Sequence, residues 1–219
     1  WSTSATMEGT NYPGFVTPAD MLAFLRTNGL KAVCWMTPFV NVSSVRDSVG
    51  GVPVPGQNTN QAANYAEGAA QGHFVRSSPG GPPLVVPWWK GSGSPVDFTR
   101  EASADWLRGQ LQNLVNASAV GGSGPVVGGF KTDDGEYRND DNIYIPLNAS
   151  YADGRTGVEM RNGYSITYHK AVWQVMGSNG VLFARGGFTG SQAYTAYWGG
   201  DNEPNFKPEN GMQSVIVSG

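Results

Sequence analysis

Apolar residues along this chain fall into two spacings, helical and strand-like, that take turns. Thr17-Pro18-Ala19-Asp20 opens a helix: Thr is a good N-cap, proline fits the first helical position, and an acid in the first turn faces the positive helix end. Met21, Leu22, Phe24 and Leu25 supply its apolar side, and Gly29 suits the left-handed residue beyond its end. Leu30 to Met36 is a near-continuous apolar run, read as a strand closed by Thr37-Pro38. A second helix, capped by Thr99, places Ala102, Trp106, Leu107, Leu111, Leu114 and Val115 at helical spacing. A Gly121–Gly124 loop precedes Pro125 to Thr132, a second strand that runs straight into Asp133-Asp134-Gly135-Glu136. A third helix spans Val158 to Met176, with Met160, Tyr164, Tyr168 and Val172 on one side and Gly177 near its end. Gly180 to Arg185 predicts a third strand and Ala193 to Trp198 a short fourth, while Ser214 to Val217 suits either a strand or a helix.

Two stretches stand apart from this alternation. Residues 43–97 are rich in Gly, Pro, Asn and Ser, which predicts a loop-rich insertion. Residues 137–157 are polar and turn-rich. Alternating α and β elements imply a parallel sheet covered by helices, either doubly wound or a (β/α)8 barrel. No Gly-x-Gly-x-x-Gly follows a strand, which weakens a dinucleotide-binding reading.

Composition narrows the function classes. With 39% hydrophobic residues the chain has material for a core, and no apolar run reaches the roughly 18 residues of a membrane helix. A net charge of −3 without a Lys/Arg cluster argues against nucleic acid or an anionic membrane as partner. The lone Cys34 cannot form an internal disulfide and reads as a small buried hydrophobe; with only two histidines, His73 and His169, no metal-ligand spacing emerges. The sequons at Asn41, Asn116 and Asn148 occur no more often than chance allows, whereas low Lys content and Gly/Ser/Asn-rich loops point to an extracellular protein. The chain does not start with Met and both ends are abrupt, so a piece of a longer protein is expected.

The chemistry lies at strand ends. Lys131 and Asp133 are two residues apart and share a face, which in a closed barrel is the interior. Arg185 ends the third strand, and Asp201 follows Tyr197-Trp198-Gly199-Gly200, whose glycines permit a tight turn above the sheet. Two carboxylates at one barrel mouth beside tryptophans suit glycoside hydrolysis, in which one acid attacks, the other moves a proton, and flat rings stack on sugar faces. A buried structural ion pair and two unrelated surface acids are the bland alternatives.

At this point the motifs become familiar. Phe130-Lys131-Thr132-Asp133-Asp134-Gly135-Glu136 resembles the nucleophile motif of glycoside hydrolase family 31, a family of α-glucosidases, α-xylosidases and α-galactosidases. Leu182-Phe183-Ala184-Arg185-Gly186-Gly187, with Tyr197-Trp198-Gly199-Gly200-Asp201 after it, resembles that family's arginine strand and acid/base motif. Trp35-Met36-Thr37-Pro38, Val96-Asp97-Phe98-Thr99 and Met160-Arg161-Asn162-Gly163-Tyr164 are similar to three further family segments, in family order.

The resemblance implies an α/β fold: a partial (β/α)8 TIM barrel holding approximately strands three to six. Residues 1–219 would form one incomplete catalytic domain. It implies a retaining, exo-acting α-glycosidase, with an α-transglycosidase, an α-glucan lyase or a non-catalytic carbohydrate-binding fragment as alternatives. Asp133 would be the nucleophile and Asp201 the acid/base. Trp35, Lys131, Arg185 and Trp198 would line the sugar subsite, with Trp88 and Trp89 in a loop over the entrance. Asp133 should stay ionised beside Lys131 and Arg185, and Asp201 should keep its proton near neutral pH through burial and neighbouring negative charge. The partner is an oligosaccharide or glycoside, with no cofactor or metal. The chain departs from the family pattern at Asp134, where an apolar or aromatic residue is usual, and at the small pair Gly186-Gly187.

Overall fold

The structure, a computed structural model, describes residues 17–46, 48–49, 52–53, 58–119, 124–136 and 145–218. The chain enters through α1 (Pro18–Thr27), whose Thr17 cap is reciprocal. The Thr17 hydroxyl accepts from the Asp20 amide, and the Asp20 carboxylate accepts from the Thr17 amide at 2.8 Å. Gly29 follows at φ +67°, as a residue beyond a helix end requires.

Nine strands are described: β1 (Ala32–Met36), β2 (Phe39–Ser44), β3 (Ser48–Val49), β4 (Val52–Pro53), β5 (Val86–Trp88), β6 (Gly91–Pro95), β7 (Val127–Thr132), β8 (Val181–Ala184) and β9 (Ala196–Tyr197). The main sheet runs β1-β7-β8-β9, every pair parallel. Its helices are α3 (Glu101–Ala117), packed on α4 (Gly157–Met176), with α4 also against β7 and β8. Parallel strands joined through helices make this an α/β fold, a partial (β/α)8 barrel.

Register decides which face does what. Cys34, Met36, Phe130, Thr132, Leu182 and Ala184 alternate onto the face packed in the core. Trp35, Lys131 and Phe183 lie in one row on the other face, beside Val33 and Val181, which are 43% and 56% exposed. That second face corresponds to a barrel interior. Two buried tyrosines of α4 tie the strand ends down: Tyr164 donates to the Val96 carbonyl at 2.9 Å and Tyr168 to the Met36 carbonyl at 3.3 Å.

The structure differs from the sequence expectation in three places. The loop-rich 43–97 stretch carries more regular structure than expected: its β5 and β6 pair with β2, which begins before it, in a three-stranded antiparallel sheet of order β2-β6-β5, and it holds the antiparallel β3-β4 pair and the short helix α2 (Tyr65–Ala70). The helix expected to be capped by Thr99 starts at Glu101. The Thr99 hydroxyl and amide both donate to Asp97 Oδ1, whose other oxygen accepts from the Ala152 amide at 2.7 Å. The fourth strand shrinks to Ala196–Tyr197 behind a 3-10 turn, and the undecided 214–217 segment lies in α5 (Met212–Ser218). The expected loop at 121–123 and residues 137–144 of the polar stretch lie outside the described residues.

Candidate active site

Asp133 is delivered by β7. Its amide donates to the Met36 carbonyl at 2.9 Å, extending the β1–β7 pairing to the point where the chain turns. The turn is made by Asp134 at φ +59° and Gly135 at φ +83°, two consecutive left-handed residues. Aspartate is among the few non-glycine types that adopt this conformation at modest cost. The Asp133 carboxylate is buried and triply contacted. Trp35 Nε1 donates to Oδ2 at 2.8 Å, the Asp134 amide donates to Oδ1 at 3.0 Å, and Arg185 Nε lies 3.4 Å from Oδ1.

Arg185, at the end of β8, is the hub. Its Nε donates to Glu136 Oε1 at 2.7 Å and its Nη2 to Asp134 Oδ1 at 2.8 Å, while Nη1 stands 3.7 Å from Asp201 Oδ2. One guanidinium thus faces four carboxylates from two loops. Burial alone would lower the Arg185 pKa, but the Glu136 hydrogen bond and the surrounding acids outweigh it and raise it further above its ordinary value. Asp134 is fully buried, and that burial, helped by the charges of Asp133 and Glu136 against the pull of Arg185, pushes its pKa up to about 6.

The small residues after Arg185 make this convergence possible. A Cβ on Gly186 would meet Glu136 Cγ at 2.5 Å, and one on Gly187 would strike the Tyr197 ring. The departure from larger residues at these positions therefore makes room for Glu136 and Tyr197. Behind them, His169 of α4 holds the Gly186 carbonyl through Nε2 at 2.7 Å, and burial pushes its pKa down.

The sequence-derived set converges with two corrections. Trp35, Asp133, Arg185 and Asp201 meet as described. Lys131 does not sit on a carboxylate: its Nζ lies over the Trp198 ring, 4.1 Å from the centroid, a cation–π contact. The burial expected of Asp201 is absent, because its side chain is 79% exposed. Trp89, more than half exposed, reaches Trp35 edge-to-face at 5.8 Å, and Trp88 anchors the same turn by donating to Asn41 Oδ1 at 2.8 Å. Beyond Arg185 opens a depression of about 870 Å³ lined by Phe188, Gln192, Tyr197 and Trp198. Sequence reasoning assigned no role to Glu136 or His169. Glu136 carried one available signal, a third acid in a turn at a strand end; His169 carried none, since its partner is a backbone carbonyl.

Neither remaining polar candidate joins the site. Buried His73 stacks on Trp106 and bonds Ser103 and Gln71, which is a packing role. Half-buried Cys34 has its thiol pKa pushed up by burial, the opposite of an activated nucleophile. Among the described residues no cluster of His, Cys, Asp and Glu is arranged to hold a metal ion, and no helix is long and apolar enough to cross a membrane.

Comparison with known proteins yields consistent matches. Residues 1–216 match the family profile described as the glycosyl hydrolases family 31 TIM-barrel domain. The chain is 30% identical over 201 residues to an alpha-xylosidase of Emericella nidulans, covering 88% of this chain and 21% of the relative. It is 30% identical over 205 residues to a 1,3-alpha-isomaltosidase of Kribbella flavida, covering 92% of this chain and 24% of the relative. It therefore spans under a quarter of the length of these relatives. Among solved structures, a cycloalternan-degrading enzyme from Trueperella pyogenes in complex with a covalent intermediate superposes with a TM-score of 0.69 at 28% identity, covering all of this chain and 27% of that one.

Proposed function

Because the chain belongs to glycoside hydrolase family 31, we propose that it carries the catalytic centre of a retaining, exo-acting α-glycosidase with Asp133 as nucleophile and Asp201 as acid/base. The observation that carries this reading is the shared guanidinium: Arg185 contacts both carboxylates, one at the end of β7 and one after β9. The relatives named for hydrolysis of α-linked sugars, and the one held as a covalent intermediate, support it.

In the first half-reaction an Asp133 oxygen bonds to the anomeric carbon while the bond to the leaving oxygen breaks. Asp201 gives that oxygen its proton. In the second half, Asp201 takes a proton from water, the water oxygen bonds to the anomeric carbon, and Asp133 departs as carboxylate. This double displacement needs the two carboxyls roughly 5–5.5 Å apart around the sugar. The open position of Asp201 suits a group that must meet both a leaving group and an incoming water. Trp35 holds Asp133 in place through its indole N–H. The rings of Trp35, Trp89 and Trp198 offer flat apolar faces to a terminal sugar.

The test uses the protein at its natural length with 4-nitrophenyl α-glucoside and α-xyloside. Asp133→Asn should abolish turnover. Asp201→Asn should remove most of it, and the first-formed sugar should be the α-anomer. Turnover surviving Asp133→Asn, or a first-formed β-anomer, contradicts the reading.

A further inference from the structure

Four acids crowd one arginine, yet they do not share it equally. The short contacts go to Glu136 at 2.7 Å and Asp134 at 2.8 Å; the long ones go to Asp133 at 3.4 Å and Asp201 at 3.7 Å. The two carboxylates read as catalytic therefore hold the weaker claims. A guanidinium bonded tightly to Asp133 would draw charge from the oxygen that must attack, so something has to keep it back. Asp134 is placed to do this. It is fully buried, its backbone is held left-handed, and among the described residues its Oδ2 has no hydrogen-bond partner, so there the carboxylate spends its hydrogen bonding on Arg185 alone. A buried carboxylate oxygen left unpaired is costly and calls for a functional explanation.

We propose that Asp134 is a positioning residue, whose ionised carboxylate holds Arg185 by Nη2 and keeps the guanidinium from closing on Asp133. The proposal rests on the reading of Asp133 and Asp201 given above. It makes the site sensitive to protonation of Asp134: once neutral, this carboxyl grips Arg185 less, and the guanidinium shifts toward Asp133.

The titratable neighbours come from every side. Asp133 and Glu136 flank Asp134 on its own loop, and Lys131 precedes it on β7. Arg185 comes from β8, with Asp201 beyond it. Tyr168, with Tyr164 and His169 beside it, comes from α4. Burial keeps the Tyr168 phenol protonated far past neutrality and lowers the His169 pKa, so neither supplies a charge near pH 7. Asp134, with its pKa raised to about 6, is the member poised to change state just below neutral pH.

The experiment is a set of pH profiles on the natural-length protein with a 4-nitrophenyl α-glycoside. Wild type should lose kcat as pH falls through about 6. Asp134→Asn, which suits the same backbone and mimics the neutral acid, should lower kcat at pH 7.5 by about tenfold or more with KM changed less than about threefold, and should erase that limb. Asp134→Gly, free of left-handed strain, should behave alike if the Asn variant folds poorly. A kcat within twofold of wild type in a folded variant, or a wild-type profile flat between pH 5 and 7, overturns the proposal. Asp133→Asn run alongside separates the two ideas. If it stays active, the mechanistic reading falls; if it is dead while Asp134→Asn matches wild type, only the positioning role falls.

Discussion

Asp133 owes its geometry to single atoms on neighbouring strands. The indole N–H of Trp35, 2.8 Å from Oδ2, is a neutral donor to a buried carboxylate, a bond worth about 1.5–3 kcal/mol. Trp35→Phe keeps an aromatic ring, though a smaller one, and removes the donor. It should lower kcat by roughly 10- to 100-fold and cost about 1.5–3 kcal/mol of stability, read by steady-state kinetics beside a melting curve. Asp134 has a second, thermodynamic signature. Its folded pKa of about 6 lies above its ordinary 3.8, so between those values the native state binds more protons than the unfolded one. Stability from this group is therefore full below about pH 4 and declines as pH rises through about 6, by an amount of order 3 kcal/mol. Asp134→Asn should flatten that decline, so the Tm gap between variant and wild type moves in the variant's favour from pH 4 to pH 7. A parallel pair of Tm–pH curves would contradict the assignment.

At the scale of elements, the site depends on β7 and β8 lying in one register. Gly129 pairs with Val181, and a Cβ there would collide with the Val181 backbone carbonyl. Gly129→Ala should force the strands apart, costing about 3 kcal/mol or more, and should drag Arg185 from its acids. Denaturant unfolding together with loss of activity checks it. The same elements show what could be read from the residues alone. β1, β7 and β8 were legible because a parallel strand buried in a barrel wall is a short apolar run bounded by Gly, Pro and polar residues. The β2-β6-β5 sheet was not, because Gly91-Ser92-Gly93-Ser94-Pro95 has no apolar alternation; its pairing is imposed by the neighbours Phe39, Val40 and Val86. Within the site, Asp133, Arg185 and Asp201 were legible from motif order. The grip of Asp134 and Glu136 on Arg185 was not, since it depends on a left-handed turn at Asp134 and on the space beside Gly186, neither of which leaves a periodic trace.

For the molecule as a whole, the consequence lies on the face opposite the helices. Val33, Trp35 and Val181 are exposed there, where a closed barrel packs layers of side chains from all its strands. The polypeptide of these 219 residues, expressed by itself, should bind a hydrophobic dye strongly and elute as associated species on size exclusion. A monodisperse monomer without dye binding would contradict that expectation. The barrel wall also explains why side chains from distant parts of the sequence meet: β7, β8 and β9 are neighbours in the sheet and present Asp133, Arg185 and Asp201 at the same end.

The most direct measurement is chemical trapping on the natural-length protein. A 5-fluoro-α-glycosyl fluoride forms its covalent adduct faster than water releases it, so peptide mapping by mass spectrometry can locate the bond. One sugar mass on Asp133, absent from Asp133→Asn, is the predicted result. A label on Asp134, Glu136 or Asp201, or steady turnover that leaves no adduct and inverts the anomer, would contradict Asp133 as the nucleophile.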